Sequence, residues 1–361
     1  MPTETVSLAS GRYNILVENG SLQRLGYHCK IAELQGKVAL ISDDTVGPIY
    51  GETAFEALTE AGFEVSRHFF PAGEASKSMS QAETLCREMI QAGHDRSSFV
   101  VALGGGVTGD LAGFVASIYY RGIPIVQVPT TIVSQVDSSV GGKTGVNTPD
   151  GKNLLGAFHQ PHLVVIDPTT LTSLPSREYR EGYAEVIKHA AIRDADMLTT
   201  LAELPIESVP PPAELLLANL AIKARVVEED ERETSGTRAL LNFGHTIGHA
   251  IEAAVPYGSL LHGEAISLGI RAALYLSEKH SALTPEHSAQ ILALLKRFEL
   301  PLTLPESISE EILIEKMARD KKFSGGRSTF VLLSEAGIGH TSQEVTNKSI
   351  KEAILLLRTN P

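Results

Sequence analysis

The run SFVVALGGGVTGD, residues 98–110, joins an apolar, β-branched stretch to a glycine-rich turn, and a helical pattern follows it to Ile118. Gly104, Gly106 and Gly109 give the turn the spacing G-x-G-x-x-G in the strand–turn–helix context that this motif requires. Glycine lets the backbone approach a pyrophosphate closely, and the helix start offers unpaired N–H groups. The sequence therefore predicts a dinucleotide site here, with a tight turn that binds no ligand as the alternative.

The acidic residues near this turn differ from the ordinary dinucleotide fingerprint. That fingerprint lies on the first strand, and an acidic ribose contact follows it by about 20 residues. In this sequence Asp43 and Asp44 end an earlier strand instead. A dinucleotide site with different connections is therefore predicted. Open α/β sheets bind ligands at the ends of their strands, where the further polar candidates are Glu74, Lys77, Thr130 and Thr131.

Short β-branched runs alternate with helical patterns on both sides of the turn. Continuous apolar strands joined by helices predict a parallel sheet that is covered on both faces. The fold class is therefore an α/β N-terminal domain. Its predicted strands are Lys37–Ser42, Phe63–Phe70, Ser98–Leu103 and Ile123–Val128, and its predicted helices include Ile49–Ala61 and Ser80–Ala92.

From about Leu171 onward the pattern becomes mostly α-helical. We therefore predict two domains, residues 1–170 and residues 171–361. The predicted helices of the second domain are Arg177–Arg193, Pro212–Glu231, Asn242–Ala254, Gly263–Lys279, Pro285–Phe298 and Ser309–Lys321.

Composition excludes several classes of protein. The 361 residues carry a formal net charge of −12, which is unsuited to nucleic acid or an anionic membrane. Apolar runs fall far short of the roughly 18–20 residues that a bilayer span needs. Cys29 and Cys86 are the only cysteines, so a disulfide framework is absent. We expect a cytoplasmic protein that binds neither nucleic acid nor membrane.

Three histidines fall close together in the helical half. His245 and His249 are four residues apart and share a face if Gly244–Ala254 is helical, and His262 follows. With Glu185 they offer the two imidazoles and one carboxylate that are usual at a catalytic zinc site. The H-E-x-x-H spacing of metalloproteases is absent. A metal site and ordinary hydrogen-bonded imidazoles are both compatible with this pattern.

Several cations stand out in this acidic chain. Lys143 and Lys152 are flanked by glycine in predicted loops, where the backbone allows close approach of a phosphate or carboxylate. Ordinary solvated charge is the alternative for each lysine. The cations next to small or apolar residues are Arg121, Lys188, Lys223 and Arg238.

Seven segments spanning both halves, in order, resemble the 3-dehydroquinate synthase family, a group of sugar phosphate cyclases in the shikimate pathway. They are GGGVTGD (104–110), PTTIVSQVDSSVGGK (129–143), Lys152–Asn153, EVIK (185–188), ERET (231–234), NFGHTIGHAIE (242–252) and HGE (262–264). The resemblance implies an NAD-binding α/β domain over 1–170, a helical metal- and substrate-binding domain over 171–361, and an active site between them. It also implies a homodimer in which Arg121 reaches the neighbouring subunit's site.

The resemblance also implies a role for each candidate residue. Glu185, His245 and His262 would bind a divalent metal, typically zinc, with cobalt as the alternative. Contacts to NAD would come from Asp43, Glu74, Lys77, Gly104, Gly105, Gly106, Val107, Thr108, Gly109, Asp110, Thr130, Thr131, Asp137 and Lys143. The anionic substrate would lie against Arg121, Asp137, Lys143, Lys152, Asn153, Lys188, Lys223, Arg238, Asn242 and Lys321, the last preferred over Lys322. The catalytic groups would be Lys152, Lys188, Asn242, His249 and Arg238.

The implied reaction converts 3-deoxy-D-arabino-heptulosonate 7-phosphate into 3-dehydroquinate and phosphate. Its steps are transient oxidation by NAD, phosphate elimination, re-reduction, ring opening and intramolecular aldol closure. A sibling cyclase acting on another sugar phosphate, a metal-dependent polyol dehydrogenase and a non-catalytic NAD- or metal-binding module are the alternatives. One departure from the family pattern is a loop before Arg238, at 233–238, that is one residue longer than expected.

Overall fold

A computed structural model of the chain describes residues 3–206, 209–256, 258–321 and 329–360. Two units divide the chain, Met1–Leu174 with Val209–Arg232 and Pro175–Ser208 with Glu233–Pro361. The predicted division at residue 170 differs from this one in the segment 209–232, which returns to the first unit.

A seven-stranded sheet in the order β1-β2-β9-β6-β5-β3-β4 forms the centre of the first unit. Every neighbouring pair is parallel except β1 and β2. The central strands β3, β5, β6 and β9 are buried along their whole length, which explains their unbroken apolar runs. The strands of this unit are β1 (Thr3–Leu8), β2 (Gly11–Val17), β3 (Val38–Asp43), β4 (Val65–Phe70), β5 (Phe99–Gly104), β6 (Ile125–Pro129), β7 (Lys143–Thr148), β8 (Gly151–Phe158) and β9 (Leu163–Ile166).

Helices cover both faces of this sheet. Alternate residues of a strand point to opposite faces, and Val38 of β3 packs in one apolar cluster while Ala39 packs in the other. Short 3₁₀ segments lie between several of the helices. In the described ranges of both units, the α-helices are α1 (Leu25–Ile31), α2 (Val46–Glu60), α3 (Met79–Gln91), α4 (Gly106–Ile118), α5 (Ser176–Glu181), α6 (Tyr183–Arg193), α7 (Ala195–Glu203), α8 (Ala213–Glu229), α9 (His245–Ala254), α10 (His262–His280), α11 (Pro285–Arg297), α12 (Glu310–Lys321) and α13 (Asn347–Leu356).

The order of the strands creates a crevice at the carboxyl end of the sheet. From β3 the chain passes to β4 on one side and then returns to β5 on the other side of β3. Ligands of open α/β sheets bind at such a switch point. Asp43 ends β3 and Gly104 ends β5, so the glycine-rich turn lies at this crevice.

The second unit is mostly helical, as predicted. Its apolar core is formed by α9, α10, α12 and α13 together with the strand β10 (Phe330–Glu335), which pairs with β11 (Ile338–Ser342). No helix in the four described ranges combines the length and the apolar character that crossing a membrane would require.

Glycines bring α9 and α10 close together. A Cβ added at Gly269 of α10 would lie 1.9 Å from the carbonyl oxygen of Gly244, and one added at Gly248 would lie 2.8 Å from Ile266 Cδ1. Gly244 and Gly248 each precede a histidine of α9, so the glycine stripe packs on α10 and fixes the neighbouring histidine stripe.

The prediction of an α/β first domain with a parallel sheet and a mostly helical second domain is confirmed. The antiparallel hairpins β1–β2, β7–β8 and β10–β11, which lie in the described part of the chain, were not predicted. The prediction that Lys143 and Lys152 lie in loops was wrong, because they lie in β7 and β8. For Lys152, the error arises because β8 is exposed or half-buried along its whole length and so lacks the apolar alternation that indicates a strand.

Candidate active site

Glu185, His245 and His262 bring ligand atoms together in the second unit, within 4.8 Å of one another. Glu185 lies on α6, and the two histidines are the first residues of α9 and α10. Glu185 Oε1 lies 3.5 Å from His245 Nε2 and 3.3 Å from His262 Nε2. Metal–ligand bonds of about 2.0–2.1 Å in a tetrahedron separate neighbouring ligands by about 3.3–3.4 Å. Glu185 Oε1 therefore lies at about the distance from each imidazole nitrogen that a shared zinc-like ion requires.

The orientation of each imidazole is set through its other nitrogen. His245 Nδ1 donates to the carbonyl oxygen of Phe243 at 3.0 Å, which leaves Nε2 as the acceptor atom. His262 Nδ1 lies 3.4 Å from Glu252 Oε2. Carbonyl and carboxylate partners of this kind accompany metal-binding histidines, fixing the ring and its tautomer. The donor set and its surroundings thus fit a divalent metal.

Charge at this cluster also favours a cation. Burial holds the pKa of His245 well below its ordinary value, so its imidazole is neutral. Burial alone would lower the pKa of His262, but hydrogen bonds to Glu185 and Glu252 raise it to about 10. Two carboxylates beside one imidazole therefore attract positive charge, which a bound metal ion would supply.

A second possible ligand group consists of His249, Glu252 and His262. His249 is exposed, whereas Glu185 and His245 are buried. Donors held in a buried position are better preorganised, so the first group is the better candidate for a metal site. The His245 and His249 rings meet edge to face with centroids 5.0 Å apart, which leaves His249 beside the ligands.

Lys188 and Arg238 are buried cations in the same unit. Lys188 Nζ forms an ion pair with Glu185 Oε2, the oxygen that does not face the imidazoles. Arg238 is 2% exposed, and its Nε lies 3.6 Å from Glu233 Oε1. The Arg238 guanidinium is therefore held inside the unit. Asn242, by contrast, is exposed.

In the first unit the glycine-rich turn leads directly into α4. Gly105 is the N-cap, and within the described residues no side chain caps the first N–H groups of α4. Such a helix start binds phosphate groups. Thr130, at the end of β6, has a buried hydroxyl without a hydrogen-bond partner in the described part of the chain. A buried hydroxyl without a hydrogen-bond partner indicates a bound ligand or water. The neighbouring Thr131 differs, because its hydroxyl is hydrogen-bonded to that of Ser134.

The other predicted cofactor residues surround this turn. Asp43 Oδ1 accepts from the N–H groups of Thr45 and Val46, and its Oδ2 accepts from Thr108 Oγ1 at 3.1 Å. Asp43 therefore joins the start of α2 to α4. Lys77 Nζ donates to Asp110 Oδ2 at 2.6 Å and lies 3.9 Å from Glu74.

Sequence reasoning missed Asn147, which links two groups of predicted residues. Its side-chain N–H donates to Glu74 Oε1 at 2.8 Å, and its Oδ1 accepts from the backbone N–H of Asn153 at 2.9 Å. Glu252 was also missed as the partner of His262, although its position within HAIE, one helical turn after His249, was a usable signal.

Lys223 and Asp137 come together in the first unit. Lys223 Nζ lies 2.8 Å from Asp137 Oδ1, and α8, which carries Lys223, belongs to this unit. The prediction placed Lys223 in the second domain. Lys143, Lys152 and Asn153 lie on the β7–β8 hairpin of the same unit.

Arg121 lies away from the glycine-rich turn. Arg121 follows the C-terminal end of α4, about 20 Å from the glycine-rich turn along a 13-residue helix. It therefore does not join the cofactor residues within its own unit. Lys321 ends α12, and Lys322 lies outside the described residues.

Replacing Lys77 should test the pair with Asp110. Burial raises the pKa of Asp110, and the Lys77 ammonium counteracts part of that rise. We expect Lys77→Met to lower the free energy of unfolding by about 2–4 kcal/mol at pH 8. The loss should be smaller at pH 5, because the folded-state pKa of Asp110 rises further and a proton then replaces the lost cation.

Urea unfolding of this variant at both pH values measures the effect. The double variant Lys77→Met/Asp110→Asn should recover much of the loss, because residue 110 then carries no charge that needs a partner. An equal loss at pH 5 and pH 8 would contradict the argument.

The chain is similar to known proteins along most of its length. Residues 67–181 match the family model for the N-terminal part of 3-dehydroquinate synthase, and residues 182–323 match the family model for its C-terminal part. A 3-dehydroquinate synthase of Pelobacter propionicus is 46% identical over 343 residues, which cover 94% of each chain.

Two solved structures of sugar phosphate cyclases are similar over nearly the whole chain. The 2-epi-5-epi-valiolone synthase of Streptomyces hygroscopicus subsp. jinggangensis, with NAD⁺ and Zn²⁺ bound, has a TM-score of 0.85 and 28% identity, and the match covers 96% of each chain. A 2-deoxy-scyllo-inosose synthase with carbaglucose-6-phosphate, NAD⁺ and Co²⁺ has a TM-score of 0.87 and 26% identity, covering 98% of this chain and 99% of that one.

The fold and these matches define an enzyme of the sugar phosphate cyclase type. The chain belongs to the 3-dehydroquinate synthase family. The family and the function predicted from the sequence are thereby confirmed.

Proposed function

We propose that this chain is an NAD- and metal-dependent carbon–oxygen lyase that converts 3-deoxy-D-arabino-heptulosonate 7-phosphate into 3-dehydroquinate and phosphate. The observation that carries the proposal is the convergence of Glu185 Oε1, His245 Nε2 and His262 Nε2 in a member of this family. Sugar phosphate cyclases similar to this chain are bound to NAD⁺ with Zn²⁺ or Co²⁺. The two-imidazole, one-carboxylate donor set suits zinc.

The metal would acidify and orient a substrate hydroxyl, and NAD would accept a hydride and later return it. Glu185, His245 and His262 would hold the metal. The start of α4 would bind the pyrophosphate, and the buried hydroxyl of Thr130 would donate to the cofactor.

The substrate carries a phosphate and a carboxylate, so its recognition requires cations. Lys152 and Lys188 would stabilise the negative charge that builds up on the departing phosphate. Lys143, Lys223 and Arg238 would bind the remaining anionic and hydroxyl groups, because lysine and arginine are the usual partners of such ligands.

Proton transfers have to accompany loss of the phosphate and closure of the ring. His249 is exposed and lies beside the proposed ligands, with its ring centroid 6.0 Å from that of His262. Histidine is the side chain that most often serves as a general acid or base. We assign proton transfer to His249 and hydrogen bonding of the reacting oxygens to Asn242.

The homodimer in which Arg121 reaches the neighbouring subunit's site stays a prediction. The cytoplasmic location of the protein also stays a prediction.

The test is to incubate the purified protein with the heptulosonate 7-phosphate, catalytic NAD and Zn²⁺. Phosphate release, absorbance at 340 nm and product mass are followed together. The proposal predicts phosphate and a carbocyclic product without net NADH. Turnover of sedoheptulose 7-phosphate alone would replace it with a sibling cyclase, and NADH accumulation with a simple polyol would replace it with a dehydrogenase.

A further inference from the structure

The position of His262 depends on the start of α10. His262 is the first residue of that helix, and its side chain is 33% exposed, whereas that of Glu185 is fully buried. Packing of its own ring therefore constrains His262 less than burial constrains Glu185. Beyond the contact of its Nδ1 with Glu252, the position of His262 depends on the contacts that hold the segment 259–264.

Glu181, the last residue of α5, contacts this segment through both its side chain and its backbone. Its Oε2 accepts from the backbone N–H of Gly263 at 2.5 Å. A Cβ at Gly263 would lie 1.9 Å from the carbonyl oxygen of Glu181, so the two backbones are in direct contact. The residue next to the proposed ligand His262 is thus fixed to α5 by a hydrogen bond and by close packing.

Arg177, at the other end of α5, holds the same segment at two further points. Its Nε and Nη2 donate to the two carboxylate oxygens of Glu264, both at 2.7 Å, and Nη2 also donates to the carbonyl oxygen of Ser259 at 3.0 Å. Glu264 in turn accepts from the N–H of Leu261 at 2.8 Å. Bidentate pairs of this kind fix geometry as well as charge.

The helix that carries these contacts is connected to another proposed ligand. After Gly182, α5 is followed directly by α6, which carries Glu185. Arg177, Glu181 and Glu264, hereafter the α5 clamp, therefore join the element that bears Glu185 to the segment that bears His262.

We propose that the α5 clamp is a positioning device for the metal centre: Arg177, Glu181 and Glu264 hold His262 Nε2 at the correct distance from Glu185. This inference rests on the proposed metal site. None of the three clamp residues is proposed to contact metal, NAD or substrate. The side chain of Arg177 is 50% exposed and that of Glu264 is 13% exposed, so the pair is only partly buried, and its loss should weaken metal binding more than it destabilises the fold.

Metal affinity tests the clamp independently of turnover. Metal-free full-length protein is titrated with Zn²⁺ against a competing chromophoric chelator. Arg177→Ala and Glu181→Ala should each bind Zn²⁺ about 10–100-fold more weakly than the unchanged protein, as is typical when groups that support a ligand are lost. Arg177→Lys, which keeps the charge but loses the bidentate geometry, should fall between Arg177→Ala and the unchanged protein.

Arg180→Ala is the matched control. Arg180 lies on the same helix but pairs with Glu299, which is not part of the segment 259–264. This variant should bind Zn²⁺ within about twofold of the unchanged protein, because outer contacts matter only where they orient a ligand. The urea midpoint of each metal-free variant separates positioning from folding, and the proposal requires the midpoint of Arg177→Ala to match that of Arg180→Ala.

The outcomes distinguish the two levels of the proposal. Unchanged Zn²⁺ affinity in both Arg177→Ala and Glu181→Ala overturns the clamp but leaves the metal site intact. Equal losses in Arg177→Ala and Arg180→Ala also overturn it, since the effect then comes from α5 as a whole. If the unchanged protein binds no Zn²⁺, or His262→Ala binds it equally well, the metal site fails and the clamp fails with it.

Discussion

Replacing His262 by alanine should weaken Zn²⁺ binding more than about 100-fold, beyond the loss expected when only a supporting group is removed. Turnover of the heptulosonate 7-phosphate should fall by about 10³-fold, because metal-assisted charge stabilisation contributes several kcal/mol to such steps. The fold should persist, since the side chain is 33% exposed. Chelator competition, phosphate release and circular dichroism measure the three quantities.

His280→Ala provides the matched control for this variant. His280 is the last residue of α10, as His262 is the first, and its Nε2 lies 2.7 Å from Ser349 Oγ. It belongs to neither ligand group identified in the second unit. Normal turnover by a folded His262→Ala protein, or an equal loss in His280→Ala, would remove His262 from the proposed metal site.

Gly269→Ala should be strongly destabilising. The added Cβ would lie 1.9 Å from the carbonyl oxygen of Gly244 and 2.8 Å from the backbone nitrogen of Gly248. These are backbone atoms, so α9 and α10 would have to separate. Overpacking typically costs about 1–3 kcal/mol, and a backbone clash of this size belongs at or above the upper end. Urea unfolding of the metal-free protein measures the change.

A buried helical glycine in the first unit serves as the control. A Cβ at Gly51 of α2 would meet only the Phe69 ring, at 3.6 and 3.8 Å, which is ordinary contact. Gly51→Ala should therefore be neutral or stabilise by up to about 1 kcal/mol through helix propensity. His245 follows Gly244 directly, so Gly269→Ala should also weaken Zn²⁺ binding. Equal unfolding midpoints for the two variants would show that the α9–α10 contact tolerates separation.

The sequence predicted the parts of the fold that have a strong apolar pattern. Buried parallel strands such as β3 and β5 are continuous apolar runs, and α10 shows clear helical spacing. The β7–β8 hairpin was missed because β8 is exposed over most of its length. The return of α8 to the first unit was missed because a helical pattern does not reveal which surface the helix packs against.

The candidate site, like the fold, could be predicted only in part from the sequence. The ligand types and the spacing of His245 and His249 were visible in the sequence, whereas the geometry depends on residues far apart in the chain. Asp137 and Lys223 are paired across 86 positions, and Arg177 and Glu264 across 87. Pairings at such separations are set by packing of whole elements, which local periodicity does not encode.

The path of the chain between the two units constrains how the protein can be made. The chain leaves the first unit after Leu174, returns at Val209 and leaves again after Arg232. A fragment ending at residue 174 would lack α8, which packs on β1 and whose Glu228 accepts from the N–H of Ser7 at 2.6 Å. During synthesis on the ribosome, α8 therefore emerges more than 200 residues after β1, the strand on which it packs. By then Pro175–Ser208 has emerged without the remainder of its own unit. Each unit consists of two separate segments of the chain, so neither can be moved into another protein as one continuous piece. The folding and the evolution of the two units are therefore coupled.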